Sequence, residues 1–108
     1  MALMVPLAKE VYVKNTSTGV IDGLENGIDV LTYKVGNAHI DNAGTISGGT
    51  NGINLSPIKL TSTLGYTPTL TTLTNTQTGS ITGGTNGLNN QGTIGTINNA
   101  GTMTGTSA

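Results

Sequence analysis

At 108 residues the chain is a single domain by the usual size prior. Four Lys against five Asp or Glu, with no Arg and no Cys, exclude a basic nucleic-acid footprint, a disulfide framework and a Cys-ligated zinc site. Leu, Ile and Val together number 25 and neither Phe nor Trp occurs, so a monomeric core is thin and other chains are expected to complete it.

Thr (21), Gly (17) and Asn (12) make up nearly half of the chain, whereas helix-forming residues are scarce. Thr favours strands, and Gly and Asn favour turns. The composition predicts an all-β protein. Every charged side chain lies between Lys9 and Lys59, which leaves residues 60–108 uncharged. A free surface normally carries mixed charge. The uncharged half is therefore expected to lie against copies of itself or a scaffold, the alternative being that hydration of Thr and Asn suffices.

In chain order, residues 1–10 form a mostly apolar segment that contains Pro6 and fits no repeat. Met1–Ala8 is too short to span a membrane and no basic residue precedes it, so neither membrane insertion nor a secretion signal is expected. The segment reads as an N-terminal anchoring arm, with Met4, Val5, Pro6 and Leu7 as the docking residues.

Residues 11–56 and 72–108 are read as two β-repeat regions. A nine-residue unit recurs, with apolar residues flanking an Asn and a Gly: Ile40 to Gly48, Leu88 to Thr96 and Ile97 to Gly105. Longer copies start at Val13 and Leu73. By their place in the unit, Val13, Ile21, Ile40, Ile46, Leu73, Ile81, Leu88, Ile94, Ile97 and Met103 are expected to line one apolar core. Asn26-Gly27, Asn51-Gly52 and Asn86-Gly87 read as tight turns with left-handed backbone. Such units bury their apolar face only by stacking. The expected architecture is a short, irregular β-solenoid or β-helix-like repeat fold, open to intertwining in a trimer. Residues 57–71, with Pro57 and Pro68, read as a loop or linker between the two regions.

The chemistry of catalysis finds little to work with. His39 is the single histidine and no Gly-x-Ser-x-Gly motif occurs. Gly48-Gly49-Thr50-Asn51-Gly52 lacks the Lys of a phosphate-binding loop and reads as a turn. Asp22, Glu25 and Asp29 do not match a calcium repeat and read as a solvated corner. Glu10 and Glu25 have no fixed separation that would suit glycoside cleavage. His39 reads as a surface residue. No enzyme activity and no cofactor are expected.

Two family resemblances are carried by these residues. The Asn-Gly-Thr-Ile units resemble the repeats of bacterial autotransporter passengers, which are right-handed β-helical adhesins. Leu64-Gly65-Tyr66-Thr67-Pro68 is similar to a Leu-Gly-Tyr-Thr-Pro segment that recurs in tail fibres and other virion proteins of bacteriophages. The second resemblance implies a homotrimeric fibre, joined to the virion through its N-terminus. Expected partners are therefore further copies of the chain, capsid or tail proteins, and a host surface glycan, with no nucleic acid. The sequence reads as a phage capsid decoration, head-fibre or tail-fibre subunit located in the virion. The alternative is an adhesin or extracellular-matrix β-helix subunit at the bacterial surface.

Overall fold

A computed structural model describes residues 2–6, 10–33, 37–59 and 65–106. Thr, Ile and Val alternating with small polar residues favour extended backbone, and the described residues form fourteen strands and no helix. Twelve of the strands form three four-stranded sheets in which every pair is parallel.

Sheet I contains β2 (Glu10–Asn15), β5 (Asn37–Asn42), β10 (Thr69–Asn75) and β13 (Thr93–Asn99). Sheet II contains β3 (Val20–Gly23), β6 (Thr45–Gly48), β11 (Ser80–Gly83) and β14 (Thr102–Gly105). Sheet III contains β4 (Asn26–Tyr33), β7 (Asn51–Leu55) and β12 (Asn86–Asn90), with β1 (Ala2–Pro6) beside β4. The chain thus visits sheets I, II and III in turn. Three circuits are full, and the fourth consists of β13 and β14. This arrangement of parallel sheets is compatible with a β-helix-like fold.

Cross-strand register stacks like residues into columns. Val13, Ile40, Leu73 and Ile97 align in sheet I. Ile21, Ile46, Ile81 and Met103 align in sheet II, and Ile28, Ile53 and Leu88 in sheet III. Unequal circuit lengths do not disturb this register, because the extra residues are held at corners. The largest insertion lies between β7 and β10, where β8 (Ile58–Lys59) and β9 (Gly65–Tyr66) pair as an antiparallel hairpin.

Burial follows position in the stack. The fully enclosed apolar side chains Ile28, Val30, Ala38, Ile40, Ile46, Ile53, Leu55, Leu70, Leu73 and Ile81 all belong to inner strands, between β4 and β11. Val11, Val13, Ile21, Leu88, Ile94 and Met103 pack against this core only partly, and all of them lie on end strands. The body measures 40 × 31 × 20 Å. Within each sheet the four strands are separated by three spacings of about 4.8 Å, roughly 14 Å in all.

Several sequence expectations change. Ile97 sits in the predicted column but is 47% exposed, because its strand is an edge of sheet I that no other strand of the described residues covers. Leu88 and Ile94 do not share one unit: Leu88 aligns with Ile53 in sheet III, and Ile94 with Leu70 in sheet I. Asn26-Gly27, Asn51-Gly52 and Asn86-Gly87 are not turns but open strands β4, β7 and β12, the bends falling on the two preceding residues. None of these glycines adopts a left-handed φ; each leaves room for the backbone or side chain of the next circuit. The predicted linker ends earlier than residue 71, since β10 begins at Thr69 and Leu70 is buried. Residues 2–6 are an edge strand of the chain's own sheet III, while Leu7 lies outside the described residues.

Replacing Ile46 or Ile81 with Asp buries an unpaired charge and is expected to cost about 3–5 kcal/mol. The same change at Ile97 is expected to cost less than about 1 kcal/mol. Urea unfolding followed by circular dichroism measures both, and equal losses at all three positions would contradict the burial gradient.

Candidate functional site

The most regularly placed polar groups are asparagine side chains at the corners. Between sheets I and II, Asn15, Asn42, Asn75 and Asn99 occupy the last position of successive strands. The Nδ2 of Asn15 donates to Oδ1 of Asn42 (2.9 Å), Asn42 donates to Asn75 (2.9 Å), and Asn75 donates to Asn99 (2.8 Å). The same amides close their corners by donating to backbone carbonyls. Asn42 reaches Gly44 at 3.0 Å and Ser80 at 3.3 Å, and Asn75 reaches Gly79 at 3.3 Å and Thr102 at 2.9 Å. Asn42 and Asn75 are almost completely buried. Burying an amide without partners would be costly, so full pairing is what makes the interior column stable. Among the described residues no buried side-chain nitrogen or oxygen lacks a partner.

Two further ladders run along sheet III. Asn86 donates to Asn51 (3.1 Å) and Asn51 to Asn26 (3.0 Å) at the strand starts. Three residues on, Asn89 donates to Asn54 (2.8 Å), and Asn54 to the Asp29 carboxylate (2.9 Å). Asn26, Asn51 and Asn86 therefore link circuits instead of making the turns expected of them. Asn15, Asn42, Asn54, Asn75, Asn89 and Asn99 were missed as ladder residues. The available signal was an Asn at a fixed offset after an apolar residue in each unit, read there only as a turn former. Asn90, from the misaligned unit that starts at Leu88, lies outside the ladders and accepts from the Gly92 amide at 2.9 Å.

The corner between sheets II and III depends on close approach. A Cβ on Gly49 would strike the carbonyl oxygen of Leu24, and one on Gly84 would strike that of Gly49. Leu24 heads this row and is fully exposed.

The outer face of sheet I carries the remaining distinctive groups. Tyr12 and His39 are register partners with stacked rings, 4.6 Å between centroids and 17° between planes. The Nδ1 of His39 lies 2.6 Å from the Thr72 hydroxyl on the next strand. Beside them is a shallow groove of about 420 Å³, lined by Lys14, Asp41, Thr74 and Thr76. Asp22 accepts from the Ser47 hydroxyl at 2.8 Å, and Asp29 is engaged in its ladder. Among the described residues no three His, Asp or Glu side chains gather as a metal site would require. No helix there is long and apolar enough to cross a membrane.

Of the predicted core residues, the structure encloses Ile40, Ile46, Leu73 and Ile81. It leaves Val13, Ile21, Leu88, Ile94 and Met103 half-covered, and Ile97 open. Met4, Val5 and Pro6 belong to β1, away from the ladder corner of sheets I and II.

Asn42→Ala removes the donor of the buried Asn75 oxygen and one donor each from the Gly44 and Ser80 carbonyls, and is expected to cost about 2–4 kcal/mol. Asn98→Ala, on the exposed face, is expected to stay within about 0.5 kcal/mol of the parent. Thermal and urea melts of both variants test the ladder. Compared with protein-family models, curated proteins and solved structures, the chain matches none.

Proposed function

We propose that this chain is a non-enzymatic structural protein of a phage virion: a capsid decoration, head-fibre or tail-fibre subunit with a short β-helical body. The observation that carries the structural part is the asparagine column through Asn15, Asn42, Asn75 and Asn99, whose interior amides Asn42 and Asn75 are engaged between circuits instead of being presented to a ligand. The virion assignment draws support from the Leu64 to Pro68 segment. Leu64 lies outside the described residues, Tyr66 pairs in the hairpin, and Pro68 is buried with its carbonyl accepting from the Thr93 amide.

Self-association belongs to this proposal, a homotrimer being the form that the tail-fibre likeness implies. So do contacts with capsid or tail proteins and an outward face available to a host glycan. Residues 1–10 serve as the docking element. Because β1 already pairs with β4 on one side, docking uses its outer edge as an added strand. A second reading, a bacterial surface adhesin or extracellular-matrix β-helix subunit, is favoured by the parallel sheets visited in strict order.

Deleting Met1 to Lys9 removes one edge strand and leaves the enclosed core strands in place. The shortened chain is expected to stay folded by circular dichroism and to lose co-purification with phage particles assembled without the full-length protein. Undiminished incorporation would move the contact to the repeat body. A full-length chain that never associates with any particle would favour the adhesin reading.

A further inference from the structure

The corners between sheets I and II alternate in length. Asn15-Thr16-Ser17-Thr18-Gly19 and Asn75-Thr76-Gln77-Thr78-Gly79 are long; Asn42-Ala43-Gly44-Thr45 and Asn99-Ala100-Gly101-Thr102 are short. The two short corners are identical in sequence, and the two long ones differ only at Ser17 and Gln77. Where the second circuit meets the third, a short corner therefore receives a long one. There the Thr76 amide donates to the Asn42 carbonyl (2.9 Å) and the Ser80 amide to that of Gly44 (2.8 Å). The Thr78 hydroxyl donates to the Ala43 carbonyl at 2.7 Å, and Asn42 Nδ2 to Asn75 Oδ1 at 2.9 Å.

The two end faces of the body present the same two halves of this junction. One end shows the short corner of Asn99, and the other shows the long corner of Asn15. The ladder has a polarity that suits the match: Asn15 donates inward and leaves its Oδ1 toward the first end, while Asn99 accepts and leaves its Nδ2 toward the last. Sheet III completes the fit. Among the described residues, the fourth circuit consists of β13 and β14 without a sheet III strand, whereas β1 adds a sheet III strand before the first circuit. Charge raises no obstacle, because Lys14 and Asp22 at one end would face the uncharged Asn98 and Thr104 at the other.

We infer that a second copy of this chain stacks head to tail on the first, β1, β2 and β3 of one copy pairing with β12, β13 and β14 of its neighbour. In this contact Asn99 donates to Asn15 of the next copy, and Val13 covers the half-exposed Ile97. The contact is heterologous, so it propagates as a linear stack, and edge strands with unpaired backbone groups provide its main-chain bonds. The inference stands on register and does not require the virion reading. Within a virion, only the end copy would keep a β1 edge for docking.

Asn99→Asp tests it with little change inside one copy. An Asp oxygen still accepts from Asn75, but the group that faced Asn15 becomes an acceptor opposed to an acceptor. Ile97→Lys places a charge in the contact from a side chain already half in solvent, and Gln77→Lys, on an exposed mid-stack corner, is the control. Sedimentation velocity and electron microscopy of the purified chain are expected to show rods that lengthen with concentration in steps of about 19 Å, four strand spacings. Each end variant is expected to raise the concentration needed for assembly by about tenfold or more, with monomer circular dichroism and melting unchanged and the control stacking as the parent does. A monomer at the highest attainable concentration, or a closed trimer indifferent to both end variants, would overturn the inference. Neither result bears on particle docking, since both variants leave β1 intact.

Discussion

The amide-to-amide hydrogen bond between asparagines of adjacent circuits is the interaction on which the structure depends. Each side chain has a donor and an acceptor that point along the stack in opposite directions, so a column repeats at the strand spacing with no leftover partner. A shift by one residue would bring Lys14 or Thr16 to the place of Asn15 and break the column. It would also move every apolar residue of the strand to the opposite face. The ladder and the apolar columns therefore specify the same register. With so few large side chains, that agreement is what gives the chain one arrangement.

Shape explains why the core is thin and where it is thinnest. A stack this short has six of its twelve parallel strands at an end, each with only one neighbour. Ile, Leu and Val on inner strands are sealed, and chemically similar residues on end strands are not. Full burial of such a side chain is worth about 1.5–3 kcal/mol. Ile97 and Met103 realise only part of that. The uncharged second half has a structural counterpart: its last three strands, β12, β13 and β14, form one whole end face.

Much of this organisation was legible in the residues. Period-two patterning around Ile40, Ile46, Leu73 and Ile81 identified strands and the inward face, because burial on one side imposes alternation. Asn-Gly, by contrast, is locally ambiguous. In a hairpin it makes the turn, whereas here Gly27, Gly52 and Gly87 sit inside strands because a neighbouring circuit comes too close for a Cβ. Only the partner circuit distinguishes these cases, and it lies 25 or 35 residues away in register. Leu88 to Thr96 was misassigned for a related reason: two apolar residues around Asn and Gly can bracket any corner, and nothing local says which. The asparagine ladders were hidden too, since their members are far apart in sequence and each alone resembles a turn residue.

The hairpin of β8 and β9 separates two properties that most β-proteins keep coupled. Strands β7 and β10 on either side of it hold register with the circuits around them, although the chain between them leaves the stack and returns. Length at that corner is thus free to change while alignment is not. A segment that lengthens, shortens or diversifies there leaves the Asn and Ile columns untouched. In evolutionary terms, novelty can accumulate at the flank of the body while the repeated scaffold stays under strict constraint. Loop closure grows only slowly in cost with length, roughly 0.6 kcal/mol per doubling, so even a large insertion would burden the scaffold little.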